Sequence, residues 1–268
     1  SGRYVRLTAA APGLTLLETL FRDAEGRPLA VTVEGPAGRD ASALVDEPDT
    51  LEGEPGWYNG MYFDEIYHAR TAYEHLHGLQ PYEISHPPLG KVFMSWAIRT
   101  FGMTPFGWRF AGTTCGVLML PGMYLLGRLL FKKRCYAILT CLCLAFDTMH
   151  FTQTRIATID SFVVLFIIWS VYFMLRWFYT DFFGKKLAYT MIPLALSGAC
   201  MGLAVASKWT GCFAGLGLAA IFFFGIWRRW KAVREARATD PAKRNPLAAE
   251  AAKSGDKHLL ITIASCLI

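Results

Sequence analysis

Long apolar runs separated by short polar breaks dominate the chain from Phe106 onward. The runs cover residues 106–131, 135–151, 161–179, 187–206 and 210–227. Each is close to the roughly 20 residues that an α-helix needs to cross about 30 Å of hydrocarbon. A shorter apolar run at residues 258–268 has the character of the start of a sixth span. The pattern therefore predicts an all-α polytopic membrane protein, with transmembrane helices over residues 106–227.

The stretch Met61–Lys91, which precedes these runs, predicts an amphipathic helix. Asp64 is well placed to cap its first turn, and Gly78 is placed to end it. Four apolar residues recur at the spacing of one helical face: Ile66, Ala69, Tyr73 and Leu76. We expect this helix to lie within a catalytic loop, residues 57–105, on the outer membrane surface.

A His-Pro-Pro turn follows the helix. Pro87 and Pro88 lack N–H donors and push the preceding residue towards extended geometry, so Ser85-His86 should be held in a fixed, non-helical conformation. The next segment, Val92–Phe101, is either an interfacial helix or the lead-in to the first span.

Residues 1–56 have a different pattern, in which short β-like runs alternate with turn signals. The runs are Tyr4–Leu7, Thr15–Phe21 and Leu29–Val33, and one turn signal begins at Asp23. We interpret this part as an extracytoplasmic β-rich segment, the tail of a soluble domain. Because neither end of the chain has a complete span or signal, we expect the sequence to be a fragment of a longer protein.

The composition indicates a membrane protein, and the distribution of charge indicates how the chain is oriented in the membrane. The chain is 53% hydrophobic with a mean hydropathy of +0.30, values that favour lipid as the main solvent. Basic residues follow alternate spans, and residues 228–257 hold 9 basic against 4 acidic residues, as expected for a basic cytoplasmic loop. The other set of loops, including residues 57–105, is then extracytoplasmic.

Under this topology, the charged residues that interrupt the apolar pattern gather at the outer ends of the spans. Ionisable groups at membrane depth are costly and usually serve a site or a pathway. Arg155 and Lys208 can bind a phosphate, one as a planar fork and the other as a point charge. A carboxylate pair, Asp64 and Glu65, facing these cations suits transfer from a phosphate-linked donor that sits in the lipid.

At these residues the chain resembles the protein O-mannosyltransferases and, more broadly, the polyprenyl-phosphate-dependent glycosyltransferases of the GT-C class. The resemblance covers about residues 57–230 and implies a GT-C-like helical bundle. The β-like segment ahead of Asp64 departs from the eukaryotic pattern and suggests a bacterial member with an added extracytoplasmic domain. The matching pieces are Phe63-Asp64-Glu65, His86-Pro-Pro-Leu-Gly-Lys91, Gln153-Thr-Arg155 through Asp160, and Ser207-Lys208-Trp209-Thr-Gly211.

The resemblance implies a role for each of these polar residues. Asp64, with Glu65 beside it, would be the catalytic pair, and Asp64 would deprotonate a Ser or Thr hydroxyl. The sugar, by resemblance mannose, would leave a polyprenyl monophosphate with inversion. The expected donor-phosphate contacts are Arg155, Lys208, His86, Arg109 and Lys91, and the expected substrate-orienting residues are Asp160 and Gln153.

The same resemblance implies no metal and no cofactor, because the lipid-linked sugar is itself the substrate. The expected partners are a polyprenyl-phosphate sugar, a protein or cell-envelope acceptor, and membrane lipid, with no nucleic acid. The expected location is a bacterial plasma membrane, crossed several times, with the active site on the extracytoplasmic side.

Several other interpretations of these residues stay open. Asp64-Glu65 can simply favour a helix N-terminus, and Glu65-x-x-His68 has the spacing of a metal-ligand pair but no second such pair. Lys91 can be an interfacial lysine, and Arg109 can anchor its span. A glycosyltransferase acting on a lipid or cell-wall polymer would use the same donor chemistry. A transporter would instead distribute its charged residues through the depth of the membrane.

Overall fold

The computed structural model describes residues 19–25, 27, 29–35, 38–46, 56, 58–184 and 186–265. The chain divides into two compact units, Ser1–Gly60 and Met61–Ile268. The described residues of the second unit form nine α-helices. They are α1 (Glu65–Leu76), α2 (Leu89–Phe101), α3 (Pro105–Phe131), α4 (Arg134–Ala145), α5 (Thr148–Thr154), α6 (Asp160–Tyr179), α7 (Leu187–Ser207), α8 (Gly211–Ala238) and α9 (Pro246–Ala264).

The described part of the first unit has little regular structure. It contains an isolated antiparallel bridge between Glu34 and Asp40 and one turn of 3-10 helix, Ser42–Leu44. The turn predicted at Asp23 is present, with the Asp23 carboxylate accepting hydrogen bonds from two backbone N–H groups. No strand occurs among these described residues, so the predicted strand at Leu29–Val33 is not observed. The predicted runs 4–7 and 15–18 lie outside the described residues.

Four helices are long and apolar enough to cross a membrane, namely α3, α6, α7 and α8. A fifth crossing is possible if α4 and α5, which meet at an angle of 58°, form one broken span. These helices coincide with the five apolar runs of the sequence. The chain is thus a multi-pass helical membrane protein.

Helix α2 is separate from the first span. Gly102 ends it with a φ of 82°, a conformation that favours glycine, and Thr104 then caps α3 by accepting a hydrogen bond from the N–H of Gly107. Pro105 occupies the first position of α3, where its missing N–H costs nothing. Of the two alternatives for residues 92–101, the structure therefore shows a helix of its own.

Helix α6 is central to the spanning bundle, where it packs against α3, α7 and α8. The Ser170 and Ser197 hydroxyls each donate a hydrogen bond of 2.8 Å to the other residue's carbonyl oxygen, which joins α6 to α7. Small polar residues of this kind let membrane helices approach closely.

The charged segment predicted as a cytoplasmic loop, residues 228–257, is helical over most of its length. Helix α8 continues to Ala238, and α9 begins at Pro246 after an Asn245 cap. The Arg229 guanidinium lies 3.8 Å over the Trp177 ring and donates a hydrogen bond to the Trp177 carbonyl. An aromatic face and a helix C-terminus stabilise this buried cation, which sequence composition alone assigned to solvent.

Candidate active site

One end of the helical unit brings together the start of α1, the loop 77–88, the start of α3, the α5–α6 linker (residues 155–159) and the α7–α8 turn (residues 208–210). We call it the Asp64 end. Asp64 immediately precedes α1 and follows Phe63, whose φ of 46° is uncommon for an aromatic residue. The Asp64 side chain is partly exposed and accepts no hydrogen bond from any described residue. The predicted side-chain cap is therefore not formed, and the carboxylate is available to a ligand.

Glu65, by contrast, is fully buried and has four hydrogen-bond donors around it. Arg109 donates from Nε to Oε1 at 2.6 Å and from Nη2 to Oε2 at 3.0 Å. The backbone N–H of Tyr62 donates at 2.9 Å, and that of Ala157 at 3.0 Å. Glu65 thus joins α1 to α3 and to the α5–α6 linker.

These contacts determine the protonation state of Glu65. Burial by itself raises the pKa of this carboxyl, but the hydrogen bonds from Arg109, Tyr62 and Ala157 outweigh it, and the pKa lies below its ordinary value. Arg109 was predicted to contact a donor phosphate, and in this structure its guanidinium is engaged by Glu65. A direct phosphate contact by Arg109 stays a prediction.

The sequence analysis did not single out Glu83, which forms a buried ion pair with Lys91. Lys91 is 1% exposed, and its ammonium donates to Glu83 Oε2 at 2.5 Å, to the Glu83 carbonyl at 2.9 Å and to the His86 carbonyl at 3.1 Å. Burial raises the pKa of Glu83, but the hydrogen bonds from Lys91, Ser85 and His86 outweigh it and hold that pKa far below its usual range. The ammonium predicted to contact phosphate therefore has all three of its N–H donors engaged within the protein.

The His-Pro-Pro turn is closed by the same carboxylate. Glu83 accepts hydrogen bonds from the backbone N–H of Ser85 at 2.8 Å and of His86 at 3.2 Å, and also from the Ser85 hydroxyl. His86 Nδ1 lies 2.9 Å from the Ser85 hydroxyl oxygen, and its side chain is 34% exposed. The Ser85 carbonyl accepts a hydrogen bond of 3.2 Å from the Trp209 indole in the α7–α8 turn. The fixed geometry predicted for Ser85-His86 is present.

His68 is a second residue at this end that the sequence did not assign. Its side chain is buried, its ring lies 6.2 Å from that of His86 edge to face, and Nδ1 has no hydrogen-bond partner among the described residues. Burial lowers the pKa of His68 and outweighs the charges of Asp64 and Glu83, which raise it. Glu65, its proposed co-ligand for a metal, is already occupied by Arg109.

The remaining predicted residues lie on the α5–α6 linker and beside the α7–α8 turn. Lys208 donates to both carboxylate oxygens of Asp160, at 2.8 and 3.0 Å, across the starts of α6 and α8. Arg155 is exposed and lies 5.7 Å over the Phe151 ring. Within the described chain no carboxylate pairs with Arg155, so this cation is available for an anionic ligand. Gln153 lies at the end of α5, and its carbonyl accepts a hydrogen bond from Ser161.

The buried face of α1 differs from the prediction. Ala69 is buried as expected, but Ile66 is 49% exposed, and the buried face consists largely of polar residues. Those residues are Glu65, His68, Thr71 and Glu74. Glu65, Thr71 and Glu74 each hydrogen-bond to groups on other segments, so an apolar period could not identify this face.

Comparison with known proteins places the chain among glycosyltransferases. A sequence model described as dolichyl-phosphate-mannose-protein mannosyltransferase matches residues 99–263, more than half of the chain. The match begins after the His-Pro-Pro turn and includes the predicted cations Arg109, Arg155 and Lys208.

Two relatives are similar to more than half of the chain. A polyprenol-phosphate-mannose–protein mannosyltransferase of Mycolicibacterium smegmatis is 26% identical over 61% of this chain and 35% of its own length. Dolichyl-phosphate-mannose–protein mannosyltransferase 1 of Saccharomyces cerevisiae is 23% identical over 65% of this chain and 22% of its own length. The chain thus spans about a third or less of these relatives.

A solved structure has the same fold. The S. cerevisiae protein O-mannosyltransferase Pmt1-Pmt2 complex bound to the sugar donor matches with a TM-score of 0.57 and 20% identity, over 76% of this chain and 29% of that one. The fold predicted from the resemblance is confirmed for the helical part of the chain. With more than half of its length matched by the family's sequence model, the chain belongs to the dolichyl-phosphate-mannose-protein mannosyltransferase family.

Proposed function

We propose that this chain carries the catalytic end of an enzyme that moves mannose from a polyprenyl-phosphate carrier to a Ser or Thr hydroxyl of a protein. The observation that carries the proposal is the hydrogen bond from the Ala157 N–H to Glu65. This hydrogen bond joins the start of α1 to the α5–α6 linker. Asp64 is adjacent to Glu65, and Arg155 is two residues before Ala157, so both residues flank the same contact. Family membership supports the same reaction.

In the proposed step, the Asp64 carboxylate takes the proton of the acceptor hydroxyl as the oxygen attacks the anomeric carbon. The bond from that carbon to the carrier phosphate breaks, and the polyprenyl phosphate leaves with the electron pair. Inversion follows from a single displacement. The Arg155 guanidinium stabilises the charge that develops on the leaving phosphate, as preorganised donors do in other transfer sites.

The other charged residues have supporting roles in this proposal. Glu65 and Arg109 hold the start of α1 against α3, so that the unpartnered Asp64 is presented in one place. Lys208 keeps one N–H donor beyond the two engaged by Asp160, and that donor is directed to the carrier phosphate. Asp160 and Gln153 orient substrate. The reaction needs no metal or cofactor from the protein.

We assign this end of the molecule to the extracytoplasmic side of a bacterial plasma membrane. Support comes from the basic residues at the other end of the spans: Lys132 and Lys133 follow α3, and Arg228 and Arg229 lie in the far half of α8. We also propose that residues 1–56 are extracytoplasmic.

The test is transfer of radiolabelled mannose from polyprenyl-phosphate mannose to a Ser/Thr-rich peptide, by the full-length protein in membranes. Asp64→Asn is expected to reduce transfer by about 100-fold or more, the effect of losing a general base. Unchanged transfer would remove Asp64 from its role. Transfer to lipid or cell-wall polymer in place of peptide would instead identify the related polymer-modifying reaction.

A further inference from the structure

The ion pair between Glu83 and Lys91 closes the loop between α1 and α2. Both side chains are buried, with 13% of Glu83 and 1% of Lys91 exposed. Lys91 lies in the first turn of α2, and Glu83 lies eight residues earlier, before the two prolines. Because the ammonium also binds the Glu83 and His86 carbonyls, the pair fixes both ends of the segment Glu83–His86.

The Glu83 carboxylate fixes the interior of the same segment. Its oxygens accept the backbone N–H groups of Ser85 and His86, which have no helical partner of their own. The backbone N–H of Glu83 itself is anchored on the Thr71 hydroxyl in α1, at 3.1 Å. The shape of the loop therefore depends on one carboxylate, and the position of that carboxylate depends on Lys91.

The loop in turn contacts the turn that carries Lys208. The Trp209 indole, adjacent to Lys208, donates its hydrogen bond to the Ser85 carbonyl. Lys208 then pairs with Asp160 at the start of α6. A continuous series of contacts thus runs from Lys91 through Glu83 and Ser85 to the turn that presents Lys208.

We propose that the Glu83–Lys91 pair is the positioning element of the donor side of the site. It holds the His86 side chain and, through the Ser85 carbonyl, the Trp209–Lys208 turn where the carrier phosphate binds. This inference rests on the proposed mannosyl transfer for its substrate. Lys91 acts through the loop and does not contact the phosphate, because its three donors are already engaged.

A direct contact between Lys91 and the phosphate would change the donor KM of Glu83→Gln in the opposite direction. If Lys91 bound phosphate, Glu83→Gln would remove a competing negative charge and would lower the KM for the donor. If the pair positions the loop, the same change weakens the carboxylate that closes it and raises that KM. Glu83→Gln preserves the volume and shape of the side chain, so the comparison tests charge alone.

The kinetic experiment uses the full-length protein in nanodiscs, with polyprenyl-phosphate mannose as donor and a Ser/Thr-rich peptide as acceptor. Glu83→Gln and Lys91→Met should each lower kcat/KM for the donor by about 10-fold or more, the scale of a small misplacement in a site. The KM for the peptide should be unchanged. The double variant should lose less than the product of the single losses, because each change breaks the same contact.

Arg70→Met is the matched control, because it removes a second ion pair, which lies in the neighbouring helix α1. Arg70 pairs with Glu74 at 2.8 Å on α1, and its side chain is 56% exposed. Only the Arg70 end of this pair is in water, since the Glu74 carboxylate is 9% exposed, but that carboxylate keeps the Tyr82 N–H as a donor after the change. Both kinetic constants should therefore stay within about twofold of wild type. A lowered donor KM in Glu83→Gln, or an equal loss in the control, would overturn the proposal.

Hydrogen exchange of the peptide covering residues 82–88 gives a readout independent of activity. Faster exchange is expected in Glu83→Gln and Lys91→Met but not in Arg70→Met. The side chain that accepts from the Ser85 and His86 amides is a weaker acceptor in the first variant and loses its anchor on Lys91 in the second. Unchanged exchange in both variants would overturn the positioning role.

If wild-type transfer is absent while exchange responds as expected, the loop closure stands and the proposed reaction fails. If Lys91→Met does not fold, the double variant takes its place in these measurements, because it leaves no unpaired charge buried.

Discussion

The two adjacent carboxylates at the start of α1 lie in opposite environments. Glu65 is buried and receives four hydrogen bonds, two of them from Arg109, whereas Asp64 is partly exposed and has no described partner. A carboxylate that is already saturated with donors cannot readily take a proton. This difference is consistent with the proposal that Asp64 is the general base and that Glu65 fixes its position.

Glu65→Gln should lower the stability of the protein by about 2 kcal/mol at neutral pH, because charged hydrogen bonds are lost inside the protein. The pKa of Glu65 is lower in the folded protein than its ordinary value of 4.5. Its stabilising effect is therefore present above pH 4.5 and is lost as pH falls through the lower folded-state pKa. Thermal unfolding across this range should show wild type and variant converging at acidic pH.

Asp64→Asn is the control for this change, since it makes the same carboxyl-to-amide substitution one residue earlier. It should leave the unfolding temperature nearly unaltered while reducing transfer by about 100-fold or more. A stability loss in Asp64→Asn equal to that in Glu65→Gln would contradict the division of roles.

At the scale of elements, close helix contacts depend on glycines whose neighbours come from distant parts of the chain. A Cβ on Gly116 in α3 would lie 2.5 Å from Thr154 Cβ in α5, which is fixed to the backbone. The Thr113 hydroxyl, one turn earlier, donates to the Thr154 carbonyl at 3.1 Å. This contact supports the α5–α6 linker, and with it Arg155.

Gly116→Ala should therefore destabilise the protein by about 1 to 3 kcal/mol, the cost of overpacking a close contact. Transfer should fall as well, because α5 must move and Arg155 moves with it. Unfolding temperature and kcat/KM for the donor are the measurements.

Gly198→Ala in α7 is the comparison, because a Cβ there meets no atom within 4 Å. This change should be neutral or slightly stabilising, since alanine loses less backbone entropy in a helix than glycine does. A Gly116→Ala protein as stable and active as Gly198→Ala would refute the proposed support of the linker.

At the scale of the whole molecule, contacts at the two ends of α6 identify opposite ends of the bundle. Asp160, at its start, pairs with Lys208 between α7 and α8. Trp177, near its end, accepts a hydrogen bond from Arg229 in the far half of α8. The residues of the candidate site and the basic residues of α8 therefore lie at opposite ends.

Cysteine labelling tests this arrangement in a variant that lacks the native cysteines. Ile84→Cys, at a side chain 80% exposed in the loop after α1, should react with a membrane-impermeant maleimide on intact cells. Lys231→Cys in α8, whose native side chain is 58% exposed, should react only after the membrane is permeabilised. The reverse result would contradict the proposed orientation, and equal access for both would contradict their placement at opposite ends.

The sequence by itself determined where the four helices that are long and apolar enough to span a membrane lie along the chain. Backbone N–H and C=O groups in lipid must be satisfied within a segment, so an apolar run of sufficient length is enough to predict a helix. The boundary between α2 and α3 is also formed by residues close together in sequence, namely Gly102, Thr104 and Pro105. The motifs around Asp64, Arg155 and Lys208 correctly indicated the family.

Only the tertiary structure decided which charged residues are available for chemistry. Arg109 and the Ala157 N–H reach Glu65 across 44 and 92 residues of sequence, distances over which no local pattern acts. In the sequence, nothing distinguishes Glu83 from a solvent-exposed acidic residue. Its contact with Lys91 is visible only in the structure. The availability of a charged group depends on its partners in space, so only the packed helices separate the charged residues that are engaged within the protein from those available to a ligand.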